Sequence, residues 1–259
     1  MPIFLKRPDA TEYSVLLGPI AKPSKMLKTL AQVISFVFHP LLVLTYMLVL
    51  LLLVNPYMFG VSSLGVQAAK ILIIQVFLYT FVLPALVVVM LKALGFVQSI
   101  ELKDRQERIG PYIVTGLFYL WMFINLYYNS RSATGTNLAF VLQIPDAYNC
   151  FVLGATIALF LAFFLNNFTK ISAHAVGMGG LLAMVVITML SFSYDTFAVN
   201  SSLLGSFELS MQTVLIFTIL VAGLVGTARL ILEAHEPMDL WGGFLVGFAS
   251  QFIALRIVF

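Results

Sequence analysis

Charge is scarce in this chain. Of its 259 residues, 10% are Asp, Glu, Lys or Arg, where a soluble domain carries about 25%. That deficit excludes an ordinary soluble globule. Cysteine is scarcer still. Cys150 stands alone, so no internal disulfide and no multi-cysteine metal site can form. The formal net charge of +3 is too small to point to nucleic acid. The first 28 residues contain no continuous apolar core, so no cleavable signal peptide is expected. Long apolar segments lack the alternation of a β-barrel strand. No low-complexity tract and no internal repeat is visible.

What the chain has instead is grease. Hydrophobic residues make up 61% and mean hydropathy is +1.03. In lipid every backbone N–H and C=O must be satisfied within the protein, and helices do this residue by residue. The expected fold is therefore all-α, a polytopic transmembrane helical bundle. Seven spans are expected, at about 30–54, 68–96, 109–128, 150–168, 174–192, 212–232 and 240–259. Residues 1–29 form a polar N-terminal tail, and 30–259 form one integral-membrane domain. The second span contains Pro84, where a kink is expected. Residues 129–147 and 193–211 read as polar loops.

The few polar groups fall into three clusters. One reads Lys103-Asp104-Arg105-Gln106-Glu107-Arg108-Ile109-Gly110-Pro111, the second Lys170-Ile171-Ser172-Ala173-His174. In the third, Arg229 is followed after five residues by His235 and after three more by Asp239. Seven spans counted from the N-terminus place all three clusters on the side of the N-terminal tail, the near face. Charged groups at a bilayer are costly and default to a functional reading.

The residue types suit phosphate chemistry. Arg clamps phosphate oxygens in bidentate fashion and Lys acts as a point charge. A histidine becomes a nucleophile when a carboxylate holds its other ring nitrogen. His235 and Asp239, four apart, can share one side of a helix start, and Pro237 suits the first helical turn. A second histidine, His174, could protonate a leaving oxygen. Ser172 would offer a hydroxyl and an N–H at the start of the fifth span.

These residues resemble the three signatures of the type 2 phosphatidic acid phosphatase superfamily, the lipid phosphate phosphatases. Arg229, His235 and Asp239 match the Arg-x5-His-x3-Asp spacing of the third signature. Ser172 and His174 stand where the second, Pro-Ser-Gly-His, has Ser and His. Lys103 and Arg108 are carried onto the first, with Arg105 as a substitute for either. The resemblance covers roughly residues 100–250 and implies a divergent member with a six-helix core. It implies His235 as the nucleophile of a phosphohistidine intermediate, Asp239 as its orienter and His174 as the acid. Lys103, Arg108, Ser172 and Arg229 would then hold the phosphoryl oxygens, with no metal and no cofactor. The expected substrate is a lipid phosphate or pyrophosphate drawn from the bilayer.

Plainer readings stand beside this one. The third cluster could be an interfacial anchor with a helix cap, and the first an ordinary charged loop. A non-catalytic scaffold or lipid-phosphate-binding subunit is the alternative function, and a small transporter a more distant one. His39, ahead of Pro40 in the first span, reads as a packing or hydrogen-bonded histidine. Gly177, Gly179, Gly180, Gly243 and Gly247 read as close helix-packing positions. Apart from Lys70, Arg131 and Arg256, every Lys and Arg falls on the near face. The positive-inside rule thus tilts that face toward the cytoplasm of an inner (cell) membrane, by a margin that narrows once the motif cations are set aside.

Overall fold

The computed structural model describes residues 23–96, 106–132, 144–193, 195–201 and 205–259. Among them, seven helical spans are long and apolar enough to cross a bilayer: Lys25–Val54, Gln67–Ala93, Gln106–Tyr128, Asp146–Asn166, Ala173–Ser191, Met211–Ile231 and Pro237–Val258. The protein is an integral-membrane helical bundle. Each span overlaps an expected one. The first starts earlier than residue 30, because Ser24 caps it at Lys25 by accepting from the Leu27 N–H at 3.2 Å.

Two spans are broken. The first consists of α1 (Lys25–Val37), a 3₁₀ turn (Pro40–Leu42) and α2 (Val43–Val54). Pro40 forces the residue before it out of the helical region, and His39 is extended at φ −64°, ψ 137°. The second span consists of α3 (Gln67–Phe77), a π-helical turn (Leu78–Val82) and α4 (Leu83–Ala93). The irregularity expected at Pro84 takes the form of that turn. Pro84 has no N–H to offer the Thr80 carbonyl, which accepts instead from the Tyr119 hydroxyl at 3.4 Å.

The remaining spans are continuous. They are α5 (Ile109–Ser132), entered through a 3₁₀ turn at Gln106–Arg108, then α6 (Asp146–Asn166), α7 (Ala173–Ser191), α8 (Met211–Ile231) and α9 (Pro237–Val258). The main core gathers around α2, where Leu44, Met47, Leu48 and Leu51 meet Tyr148 and Phe151 of α6 and Met184 of α7.

One expected loop is a hairpin. Within residues 193–211, β1 (Thr196–Ser201) pairs antiparallel with β2 (Gly205–Ser210). The reason is a short period-two pattern that the polar composition obscures. Phe197 lies opposite Leu209 and Val199 opposite Phe207. Phe197 joins the same core cluster as Phe59 and Met211, at the end of the bundle remote from His174 and His235.

The closest helix contact is between α7 and α9, and glycines make it. A Cβ on Gly247 would overlap the Val176 carbonyl, and one on Gly179 would overlap the backbone of Phe244. A Cβ on Gly243 would lie 2.8 Å from the Ser172 carbonyl oxygen. In lipid, such close approach replaces the hydrophobic effect as the source of helix association. Gly242, one residue from Gly243, has open space around its Cβ position. Gly247→Val should therefore lower the thermal midpoint in detergent, by an amount corresponding to at least the ~1–3 kcal/mol typical of overpacking. Gly242→Ala should leave it unchanged. Equal midpoints for the two variants would refute the close-packing account.

Candidate active site

The turn between α8 and α9 builds the centre of the site. Helix α8 ends in a reversal in which the Ala234 N–H donates to the Arg229 carbonyl at 3.1 Å. Glu233 occupies the left-handed position there at φ 53°. Glycine usually fills such a position, and a side-chain-bearing residue in it costs on the order of 1–3 kcal/mol. The reversal delivers His235 just ahead of α9. Pro237 fills the first helical position, as its missing N–H allows. Asp239 Oδ2 then does two jobs. It accepts the Glu236 N–H at 3.1 Å and pairs with His235 Nδ1 at 3.2 Å. A carboxylate only accepts, so Nδ1 carries the hydrogen and Nε2 of neutral His235 keeps its lone pair.

The other clusters close on this turn from two sides. The N–H of Ser172 donates to the Asp239 carbonyl at 3.3 Å, which holds the starts of α7 and α9 level. Arg108, buried, donates through Nη1 to the Ile171 carbonyl at 3.2 Å. Lys28 on α1 approaches Glu233 at 3.9 Å, an exposed pair of small energetic weight. His174 Nε2 meets the Ser35 carbonyl at 3.0 Å. That carbonyl is free for it because the extended His39 turns its own N–H to Phe36 at 3.3 Å. A carbonyl can only accept, so Nε2 of His174 carries the hydrogen.

Two cavities meet at His235. A shallow bowl of about 600 Å³ opens outward past Lys170, Glu236 and Asp239. A larger chamber of about 1180 Å³ runs inward between the helices. Lys170, Glu233, Ala234 and His235 line both. Arg108, Arg229, His174 and His39 line the mouth of the chamber, and Leu44, Phe81, Val88, Phe151 and Leu159 line its interior. The chamber reaches Gln251 on α9, about 21 Å along the helix from Pro237 at 1.5 Å per residue.

Of the residues singled out from the sequence, Arg108, His174, Arg229, His235 and Asp239 all line one or both of these joined cavities. Ser172 lies behind the wall. It is fully buried, its hydroxyl caps α7 by accepting from the Ala175 N–H at 3.4 Å, and it lines neither cavity. Lys103 and Arg105 fall outside the described residues. Three residues gain a place that the motif had not given them: Lys28, Lys170 and His39. The signal for His39 was present in the sequence, as a polar residue directly before a proline inside an apolar span.

Comparison of the chain with models of known families, with curated proteins and with solved structures gives no match.

Electrostatics favour neutral His235. Burial pushes its pKa from 6.5 down to about 4. The hydrogen bond to Asp239 opposes that shift, and the positive charges of Arg108, Arg229 and Lys170 reinforce it. The unfolded chain therefore takes up this proton before the folded protein does. Stability linked to His235 is complete at neutral pH and declines as pH falls from 6.5 toward 4. Ring ¹⁵N shifts of labelled protein should show Nδ1 protonated and Nε2 bare at pH 6, with Asp239→Asn moving the titration to still lower pH. A His235 midpoint at or above 6.5 would contradict the site's electrostatics.

Proposed function

We propose that the protein is an integral-membrane phosphatase that hydrolyses a lipid phosphate or pyrophosphate through a phosphohistidine at His235. The observation that carries this reading is the position of His235. Its Nδ1 is held by Asp239, and it stands on the wall shared by a polar bowl and an apolar chamber. The bowl admits water. The chamber accepts an apolar tail while the phosphoryl group stays among Arg108, Arg229 and Lys170, which offset its charge as it reacts.

The chemistry then runs in two steps. The lone pair of His235 Nε2 attacks phosphorus, and the bond from phosphorus to the leaving oxygen breaks. His174, with Nε2–H on the Ser35 carbonyl, takes up at Nδ1 the proton of a monoanionic ester and gives it to that oxygen, which releases the lipid alcohol, or a lipid phosphate from a pyrophosphate. Water from the bowl next attacks phosphorus and breaks the P–N bond. Its proton returns to His174 and inorganic phosphate leaves. Asp239 stabilises the charge that His235 carries in the intermediate. In this reading the near end faces the cytoplasm, which labelling of a single cysteine at Gln106 with a membrane-impermeant reagent checks.

A second reading has its own support. Arg108 and the Ser172 N–H, both expected on phosphate, donate to backbone carbonyls. That arrangement suits a subunit that binds a lipid phosphate without turning it over.

Phosphate release from phosphatidic acid, phosphatidylglycerophosphate and polyprenyl pyrophosphate in detergent separates the two. The phosphatase should turn over at least one of them, with or without EDTA. His235→Ala should abolish release while the protein stays monodisperse, and His174→Ala should slow it by about 10²–10⁴-fold. Release by His235→Ala at the wild-type rate would remove the proposed nucleophile. Binding without release from any substrate would favour the subunit.

A further inference from the structure

The chamber mouth holds a third histidine that the signatures do not include. His39 comes from span one, far from the others in sequence. Its ring stands 5.4 Å from that of His174, centroid to centroid and edge to face at 80°. Phe81, from the π-helical turn of span two, flanks the other side at 6.3 Å and 83°. The backbone break at Pro40 serves both histidines. It leaves the Ser35 carbonyl to His174, and it swings His39 into the chamber mouth.

The tautomer of His39 follows from its hydrogen bond to the backbone. Nδ1 accepts the Leu41 N–H at 3.3 Å. An N–H can only donate, so Nδ1 carries no hydrogen and Nε2 carries it. A proton added at Nδ1 would confront the Leu41 N–H, so this contact keeps the ring neutral and leaves it unsuited to giving up a proton. Among the described residues Nε2 is neither hydrogen-bonded nor counted among the buried polar atoms that lack a partner. It is therefore open to the chamber that His39 lines together with Arg108, Arg229, His174 and His235.

We propose that His39 is a third substrate-contacting histidine, a neutral Nε2–H donor that holds an oxygen of the phosphate ester beside His174. The inference rests on the phosphatase reading of the site. It assigns His39 no proton transfer. A neutral donor adds a directed hydrogen bond to an oxyanion and places no further positive charge beside His174, Arg229 and Arg108. The bound ester is thereby gripped from span one as well as from the 3₁₀ turn before α5 and the end of α8.

A merely structural His39 would cap the 3₁₀ turn through Nδ1, and three substitutions separate the two roles. His39→Asn keeps a good capping acceptor but is too short to reach the ester. His39→Gln carries an N–H at about the reach of Nε2. His39→Leu does neither. With the lipid phosphate that the wild type hydrolyses, Leu and Asn should both lose about 10- to 100-fold in kcat/KM, the range for a hydrogen bond to a charged group. Gln should stay within several-fold, and the pH profile should keep its shape in all three. Thermal midpoints establish that each variant is folded. Rescue by Asn and not by Gln would overturn the proposal and leave His39 a cap. Wild-type rates in all three variants would overturn it as well. If the wild type releases no phosphate from any substrate, the phosphatase reading fails separately. Inorganic phosphate binding to the same variants then decides the contact: weaker binding by Leu and Asn than by Gln upholds it, and equal binding overturns it.

Discussion

Everything at the near end depends on how closely α7 approaches α9. Lipid offers no hydrophobic gain for bringing two helices together, so their backbones must meet to collect dispersion and weak polar contacts. Gly179 on one helix and Gly243 and Gly247 on the other leave room for that meeting. The consequence is chemical as well as mechanical. With the helices this close, the Ser172 N–H reaches the Asp239 carbonyl, and the start of α7 is locked to the start of α9. His174 sits just inside one start and His235 just outside the other. Their separation is thus fixed by backbone, which is far less adaptable than a pair of long side chains.

The helix breaks are the complementary device. A continuous helix uses its carbonyls internally and offers nothing to a neighbour at membrane depth. Pro40 and Pro84 interrupt that economy in spans one and two. The Ser35 carbonyl orients His174, and the Thr80 carbonyl accepts from Tyr119. Both breaks border the same chamber, where His39 and Phe81 project from them. Spans α8 and α9 are unbroken and differ in kind. His235 comes from the turn between them, where Glu233 accepts an unfavourable backbone conformation so that the chain can reverse in few residues.

Positive charge and burial act together on His235. Both favour the neutral imidazole. Asp239 works against both, yet it is what fixes the tautomer and leaves Nε2 bare. Asp239, Glu233 and Glu236 stand among the cations that line the joined cavities.

Much of this was legible in the chain. Span number and position follow from hydropathy, a property summed over about twenty neighbouring residues with no reference to the rest of the fold. Parity of spans then predicts one face for the three clusters, and Arg108, His174 and His235 line one chamber. The bond between His235 and Asp239 was also local, since residues four apart at a helix start are neighbours whatever surrounds them. The hairpin at 196–210 was missed because its four alternating apolar residues are too few to outweigh the polar ones around them. Tertiary structure alone decided the rest. Whether Ser172 faces a cavity or a backbone carbonyl depends on a helix contact set by glycines some 70 residues further on. His39 joins His174 across 135 positions because a proline bends one span toward another. The chamber exists only as the space that the spans enclose. Hydropathy and spacing are one-dimensional and can be read along the chain, whereas distances between helices arise from the shapes of two surfaces, and a single sequence displays those surfaces only after it has folded.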